Sequence, residues 1–255
     1  MRHDADLSGA QGLGVRVVGR GSGFLVINKD AGLDMHSRND VPGLCALVRE
    51  LCGLASVWPV HRLDKDTSGL VLVATTVQAA RDLGALFQNQ QVSKYYVCLS
   101  DLSPRKKQGL VQGDMVRSRC KTWKLCRSMT RPARTRFLSW SVYAGLRLFV
   151  LRPLTGKTHQ LRVAMKALGS PILGDRLYHP HTSLWPDRLY LHAHTLRFCL
   201  YGQEWIFRCP PDTGRLFQDS RVLDFMQDFG PLDGLSWPDS WPAYPQPTVM
   251  HNFGT

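Results

Sequence analysis

At 255 residues, with 44% hydrophobic and 20% charged residues, the chain can bury one sizeable core and reads as a soluble globular protein. No run of about 18 apolar residues occurs, which excludes a membrane-spanning helix, and the polar stretch Met1 to Gly14 lacks the layout of a signal peptide, so a cytoplasmic location is expected. A formal net charge of +12 points to a polyanionic partner, nucleic acid before membrane, and seven cysteines without a C-x-x-C pair argue against a disulfide framework or structural zinc site.

In chain order, Val15–Val18 and Phe24–Asn28 read as two short strands around a Gly-rich turn. Pro42 to Leu51 fits a short amphipathic helix. The central stretch is His61-Arg62-Leu63-Asp64-Lys65-Asp66-Thr67-Ser68-Gly69, charged residues set before the apolar run Leu70–Ala74, which reads as a buried strand. Charge between core elements is costly unless paired. Thr67-Ser68-Gly69 supplies turn chemistry that would hold Asp64 at the mouth of a cleft. Taken alone, the string also fits a plain loop with Arg62 and Asp64 as a surface pair.

Thr75-Thr76 can cap a helix from Val77 to about Asn89, with Ala79, Leu83 and Leu86 on its core face. Lys94–Leu99 reads as a strand that puts Lys94 and Tyr96 on one face and Tyr95 on the other. From Arg105 to Arg136 there are eleven Lys or Arg against one acid, Asp114. Arg105, Lys106, Lys107, Arg117, Arg119 and Lys121 lie in this segment, with Trp123 embedded in it. Periodicity is poor until Thr135–Trp140, so the segment reads as a loop and as one RNA-backbone contact surface.

Leu146–Leu151 forms a hairpin with the strand before it, and Thr155 or Thr158 could cap a helix running to Leu168. Arg162 lies beside that helix's apolar face and could snorkel or reach a buried carboxylate. Gly156-Lys157-Thr158 is not a phosphate-binding P-loop, because Leu151 stands where the motif needs Gly. His192 and His194, two residues apart without an acidic or Cys partner, are weak as metal ligands. Thr195–Leu200 and Glu204–Arg208 read as a terminal hairpin, and Leu216–Asp228 as a helix. From Gly230 the chain is rich in Pro and Trp and aperiodic; it could be disordered or fold back and bury Trp237 and Trp241.

The central string resembles the active-site motif of the RluA family of RNA pseudouridine synthases. The resemblance continues in Lys29-Asp30-Ala31-Gly32, Lys94-Tyr95-Tyr96, Thr155–Val163 and Gly169–Asp175 with Tyr178, then Leu191-His192-Ala193. It covers roughly Val15 to Arg208. Two departures are Asp30, where the family usually has Pro, and Ala164, where it commonly has His. The resemblance implies a pseudouridine synthase catalytic domain of the α+β class, a mixed, mainly antiparallel sheet flanked by helices. It implies boundaries at 1–14 for a tail, 15–229 for the catalytic domain and 230–255 for an extension. The family's optional N-terminal RNA-binding module is not expected before Val15.

The implied reaction isomerises specific uridines of structured rRNA or tRNA, with no cofactor and no metal, and a monomer is expected. Asp64 matches the family's nucleophile. Arg162 matches the Arg paired with it, and an Arg beside a carboxylate favours its charged form. Tyr96 matches the Tyr that stacks on the uracil and could handle the proton at C5. Arg62 would fill the gap left by the flipped nucleotide or bind its phosphate, and His61 would join it on the RNA. Two rivals remain at this level. One is a non-catalytic RNA-binding protein on the same fold. The other is a hydrolase using Asp64 and Asp66, which strand alternation would aim to one side.

Overall fold

The structure is a computed structural model that describes residues 14–120, 122–180 and 187–237. Its frame is one sheet of eleven strands among the described residues. The strands are β1 (Val15–Gly21), β2 (Phe24–Lys29), β3 (Trp58–Pro59), β4 (Ser68–Ala74), β5 (Ser93–Ser100), β6 (Gln108–Arg117), β7 (Trp123–Cys126), β8 (Ala133–Tyr143), β9 (Leu146–Pro153), β10 (Leu191–Leu200) and β11 (Gln203–Arg208). The helices are α1 (Leu44–Leu51), α2 (Val77–Gln88), α3 (Gln160–Ala167) and α4 (Ser220–Asp228).

The path across the sheet is β1-β2-β4-β10-β5-β9-β8-β6-β7, with β3 on β4 and β11 on β10. β4 and β10 pair in parallel through His192–Ser68 and Ala193–Gly69, and the other described pairings are antiparallel. Gly69 makes the parallel contact possible. Its φ is +106°, and a Cβ there would stand 2.3 Å from the Ala193 carbonyl oxygen.

Strand alternation divides the core. Phe24, Val26, Leu70 and Leu72 pack with Leu83 of α2 on one face. Leu25, Ile27, Val71 and Val73 join the larger cluster with Leu44 and Val48 of α1 and Leu161 and Met165 of α3 on the other. Thr76 caps α2 as expected, its hydroxyl accepting from the Ala79 amide.

Several boundaries differ from the sequence reading. Gln108–Arg117 and Trp123–Cys126 are strands, not loop. β6 is held by its ladder to β8, and only β6 flanks β7, so tertiary pairing overrides a pattern broken by Gly109 and Gly113. α3 has no Thr cap. His159, in the left-handed region at φ 57°, precedes it without a side-chain cap bond. α4 starts four residues later than expected because the Asp219 carboxylate accepts from the Arg221 amide and sets the first turn there. After α4, Leu232 is buried and Trp237 packs 6.1 Å from the Tyr95 ring, so the chain through 237 lies on the sheet. Trp241 and Lys121 lie outside the described residues.

Candidate active site

The segment 60–67 that leads into β4 encloses a cleft of about 540 Å³ together with α2, β5, the end of β9, the start of α3 and the start of β10. The central motif forms one wall. The Thr67 amide donates to the Asp64 carbonyl, so residues 64–67 make a turn and not a strand. Alternation therefore does not apply, and exposed Asp66 does not line the cleft. This removes the geometric basis of the paired-carboxylate reading. Among the described lining residues Asp64 is the only acid, set against Arg62, Lys94, Lys157 and Arg162.

Arg162 is 5% exposed and holds two carboxylates. Its Nε and Nη2 donate to Asp175 at 2.8 Å each, and its Nη1 donates to Asp64 Oδ2 at 3.3 Å. Asp175 also accepts from the amides of Leu177 and Tyr178. Burial opposes the charge on Arg162, but the bonds and charge of Asp175, then Asp64, outweigh it and raise the guanidinium above its ordinary value. The second carboxylate was not foreseen. Asp175 follows α3 by a loop without periodicity, and only a planar fork can serve both acids at once.

Tyr96 sits on β5 with its ring buried and its hydroxyl without a hydrogen bond among the described residues. Burial pushes its phenol up, and nearby Asp64 adds to the shift, so the group stays a neutral O–H. Lys94 lines the cleft from the same strand. His159 also lines it, with Nδ1 3.0 Å from the Tyr178 hydroxyl, which accepts from the Trp123 amide at 2.9 Å. Burial lowers the His159 pKa. Gln160 pins the entry to α3: Thr155 Oγ1 and the Lys157 amide donate to its Oε1, and its Nε2 donates to the Arg134 carbonyl and to Thr135.

The sequence profile described as RNA pseudouridylate synthase matches residues 23–167. An "Uncharacterized RNA pseudouridine synthase" of Haemophilus influenzae is 45% identical over 213 residues, covering 84% of this chain and 95% of its own. The "Dual-specificity RNA pseudouridine synthase RluA" of Escherichia coli is 36% identical over 198 residues, covering 74% and 90%. The chain belongs to the RluA family of RNA pseudouridine synthases. Among solved structures, "Human RNA Pseudouridylate Synthase Domain Containing 1" superposes with a TM-score of 0.68 at 25% identity, covering 90% of this chain and 99% of that one. This member of the family is thus an isomerase acting on RNA, on the mixed, mainly antiparallel sheet that the resemblance implies.

In this synthase the other expected RNA contacts fall into separate places. Arg62 is exposed at the cleft rim. His61 is spent internally: its Nε2 accepts from the Leu72 amide at 2.9 Å, and its ring stacks on Phe87 at 4.4 Å. Burial, helped by Lys94, holds its pKa near 3, so it is neutral. The basic segment is not one surface. Arg117 and Arg119 sit at the end of β6 nearer the cleft, where the β6–β7 hairpin reaches Tyr178. Arg105, Lys106 and Lys107 are exposed before the other end, where Lys107 O accepts from the Ser139 amide. Lys107 and Gly113 are about 20 Å apart along the strand. The segment's one acid, Asp114, caps the amides of Thr130 and Arg131 inside a turn.

The loop that carries Asp64 has a brace that composition does not reveal. Lys29 is 0% exposed, and its Nζ donates to the carbonyls of Asp30, Leu33 and Lys65 at 2.8–2.9 Å. Burial lowers its pKa to about 8, against the pull of Asp66, Asp34, Asp30 and Asp64. Below the motif, Arg188 donates to Ser68 Oγ, Ser68 meets His192 Nδ1 at 2.7 Å, and His192 Nε2 donates to the Cys209 carbonyl at 2.7 Å. Both His192 nitrogens are therefore engaged, and His194 Nδ1 is bonded to Thr195 Oγ1.

Proposed function

We propose that this cleft receives a uridine flipped out of a structured rRNA or tRNA and isomerises it through Asp64. The observation that carries the reading is a single lining carboxylate, 21% exposed, held by a buried Arg whose other face is locked to Asp175. The reaction breaks the bond from N1 to C1′, turns the base and joins C5 to C1′; the proton leaves C5 and N1 gains one. A carboxylate nucleophile suits either first step, at C1′ or at the base. Arg162 fixes its orientation. Tyr96 offers a ring to stack on the uracil and a neutral hydroxyl to relay the proton. Arg62, exposed at the rim, takes the place of the flipped nucleotide or binds its phosphate. The cations of the β6–β7 hairpin then hold the RNA backbone.

The test is tritium release from rRNA and tRNA labelled at uridine C5 and prepared from cells lacking this protein. The wild type should release tritium from a defined site. Asp64→Asn should release none while binding the same RNA within about twofold, since a neutral isostere leaves the cationic surface intact. Full activity in Asp64→Asn would remove Asp64 as nucleophile.

A further inference from the structure

Lys94 is a cation without a counter-charge among the described residues. Its amine makes no hydrogen bond or ion pair among the described residues, and its one close partner is the Phe87 ring, 5.9 Å from Nζ. It is half-buried, and burial alone lowers its pKa, with no carboxylate opposing the shift. Withdrawing an ammonium from water without an anion costs free energy, yet this one lines the cleft. Among the described residues no carboxylate is placed to pair with it. Asp64 is the sole acid of the described lining and is already held by Arg162.

The placement is specific. Lys94 precedes Tyr96 by two residues on the same strand face, a separation of about 7 Å. That is the scale on which a base stacked on Tyr96 carries its own backbone phosphate. Phe87 is itself stacked on His61, so the surface beneath the lysine stem is fixed. Gly156 faces the amine across the cleft, close enough that a Cβ there would meet Nζ at 3.9 Å, an ordinary contact distance. We infer that Lys94 binds the phosphodiester adjoining the flipped uridine and so positions the nucleotide for Asp64. The substrate supplies the missing anion.

This inference rests on uridine isomerisation in the cleft, and one experiment separates the two. Wild type, Lys94→Met, Lys94→Gln and Lys94→Arg are compared for tritium release from the C5-labelled rRNA and tRNA, and for filter retention of the same RNA, over a salt series. Lys94→Met should lower kcat/KM about tenfold to hundredfold at low salt, the range for one charge-assisted contact. It should also reduce the salt slope of log kcat/KM and of log binding by roughly 0.7–0.9, the signature of one phosphate lost. Lys94→Gln should match it, and Lys94→Arg should keep the wild-type slope. The Met variant should unfold at the wild-type temperature or above, since it removes an uncompensated charge.

An unchanged slope with a fallen kcat/KM would place the amine on the uracil or ribose and overturn the inference. So would an unchanged kcat/KM in an active wild type, or an Arg variant as poor in slope as Met. If the wild type releases no tritium from either RNA, the isomerisation reading fails instead, and the binding slopes still decide whether Lys94 meets a phosphate.

Discussion

The floor of the cleft and the β6–β7 hairpin are built on opposite principles. In the floor, charge is buried and spoken for: Arg162 holds Asp175 and Asp64, Lys29 has three carbonyl acceptors, and His192 is bonded through both nitrogens. In the hairpin, Arg117, Arg119, Lys124 and Arg127 are exposed, and the lone acid Asp114 serves a turn. A network that satisfies every member is rigid, which holds the Asp64 carboxylate in one place. Solvated cations add little to the fold but much to polyanion binding. One region fixes geometry, and the other presents solvated cations of the kind that suit a polyanion. Tyr178 joins them, since its hydroxyl meets the hairpin at Trp123 and the cleft at His159.

The contrast is sharpest at Asp175. Asp175→Asn leaves Arg162 buried with half its charge partners, and we expect a loss of about 3–5 kcal/mol in urea unfolding together with a fall in kcat. A loss under about 1 kcal/mol would mean that the floor is not a charge-locked network.

A second test is acid. His61, His192 and His194 have pKa values lowered to about 3, 3 and 4, by burial first in each case. Unfolded, each binds a proton near the ordinary value of about 6.5, so between there and the folded value the unfolded state binds more protons and stability rises with pH. Stability should therefore fall as pH drops below about 6.5, by about 1.4 kcal/mol per buried histidine at pH 5.5. Urea midpoints taken from pH 7 to pH 5 check this, and His192→Gln should flatten the profile. A flat wild-type profile would show that these rings do not stay neutral in the fold.

The smallest effect on stability belongs to the hairpin. Arg117→Ala and Arg119→Ala should each change unfolding free energy by less than about 0.5 kcal/mol. Each should lower the salt slope of RNA binding by roughly 0.7–0.9. A hairpin variant that destabilises the fold as much as Asp175→Asn would erase the distinction between the two regions.

The same division explains what could be read from residue order. Asp64, Tyr96 and Arg162 stand out because each lies in a contiguous string that resembles a family motif; local chemistry alone leaves Asp64 open as one of a surface pair and Tyr96 as a core aromatic, and the structure places all three on one cleft. Asp175, Lys29 and Tyr178 sit in recognisable strings too, but their roles are made by contacts across 13 to 55 residues. Spacing carries no trace of such contacts. His61, expected beside Arg62 on the RNA, lines the cleft, but its ring is held by the Leu72 amide and Phe87, contacts that residue order does not show. β6 and β7 were hidden because charge dominates their composition, and only pairing with β8 makes them strands.

The strand order has a consequence for how the protein is made. β10, which begins at Leu191, lies between β4 and β5, the strands that carry Gly69 and Tyr96. Until β10 has been synthesised, the sheet exists only as two halves, each presenting an open edge. Those edges are templates for unwanted pairing, and closing them needs contacts between residues 93 to 124 positions apart. Assembly is thus committed late, by one inserted strand. A nascent chain that stops short of it has Asp64 and Arg162 in sequence but no sheet to hold their walls together, so the cleft forms only after β10 has emerged.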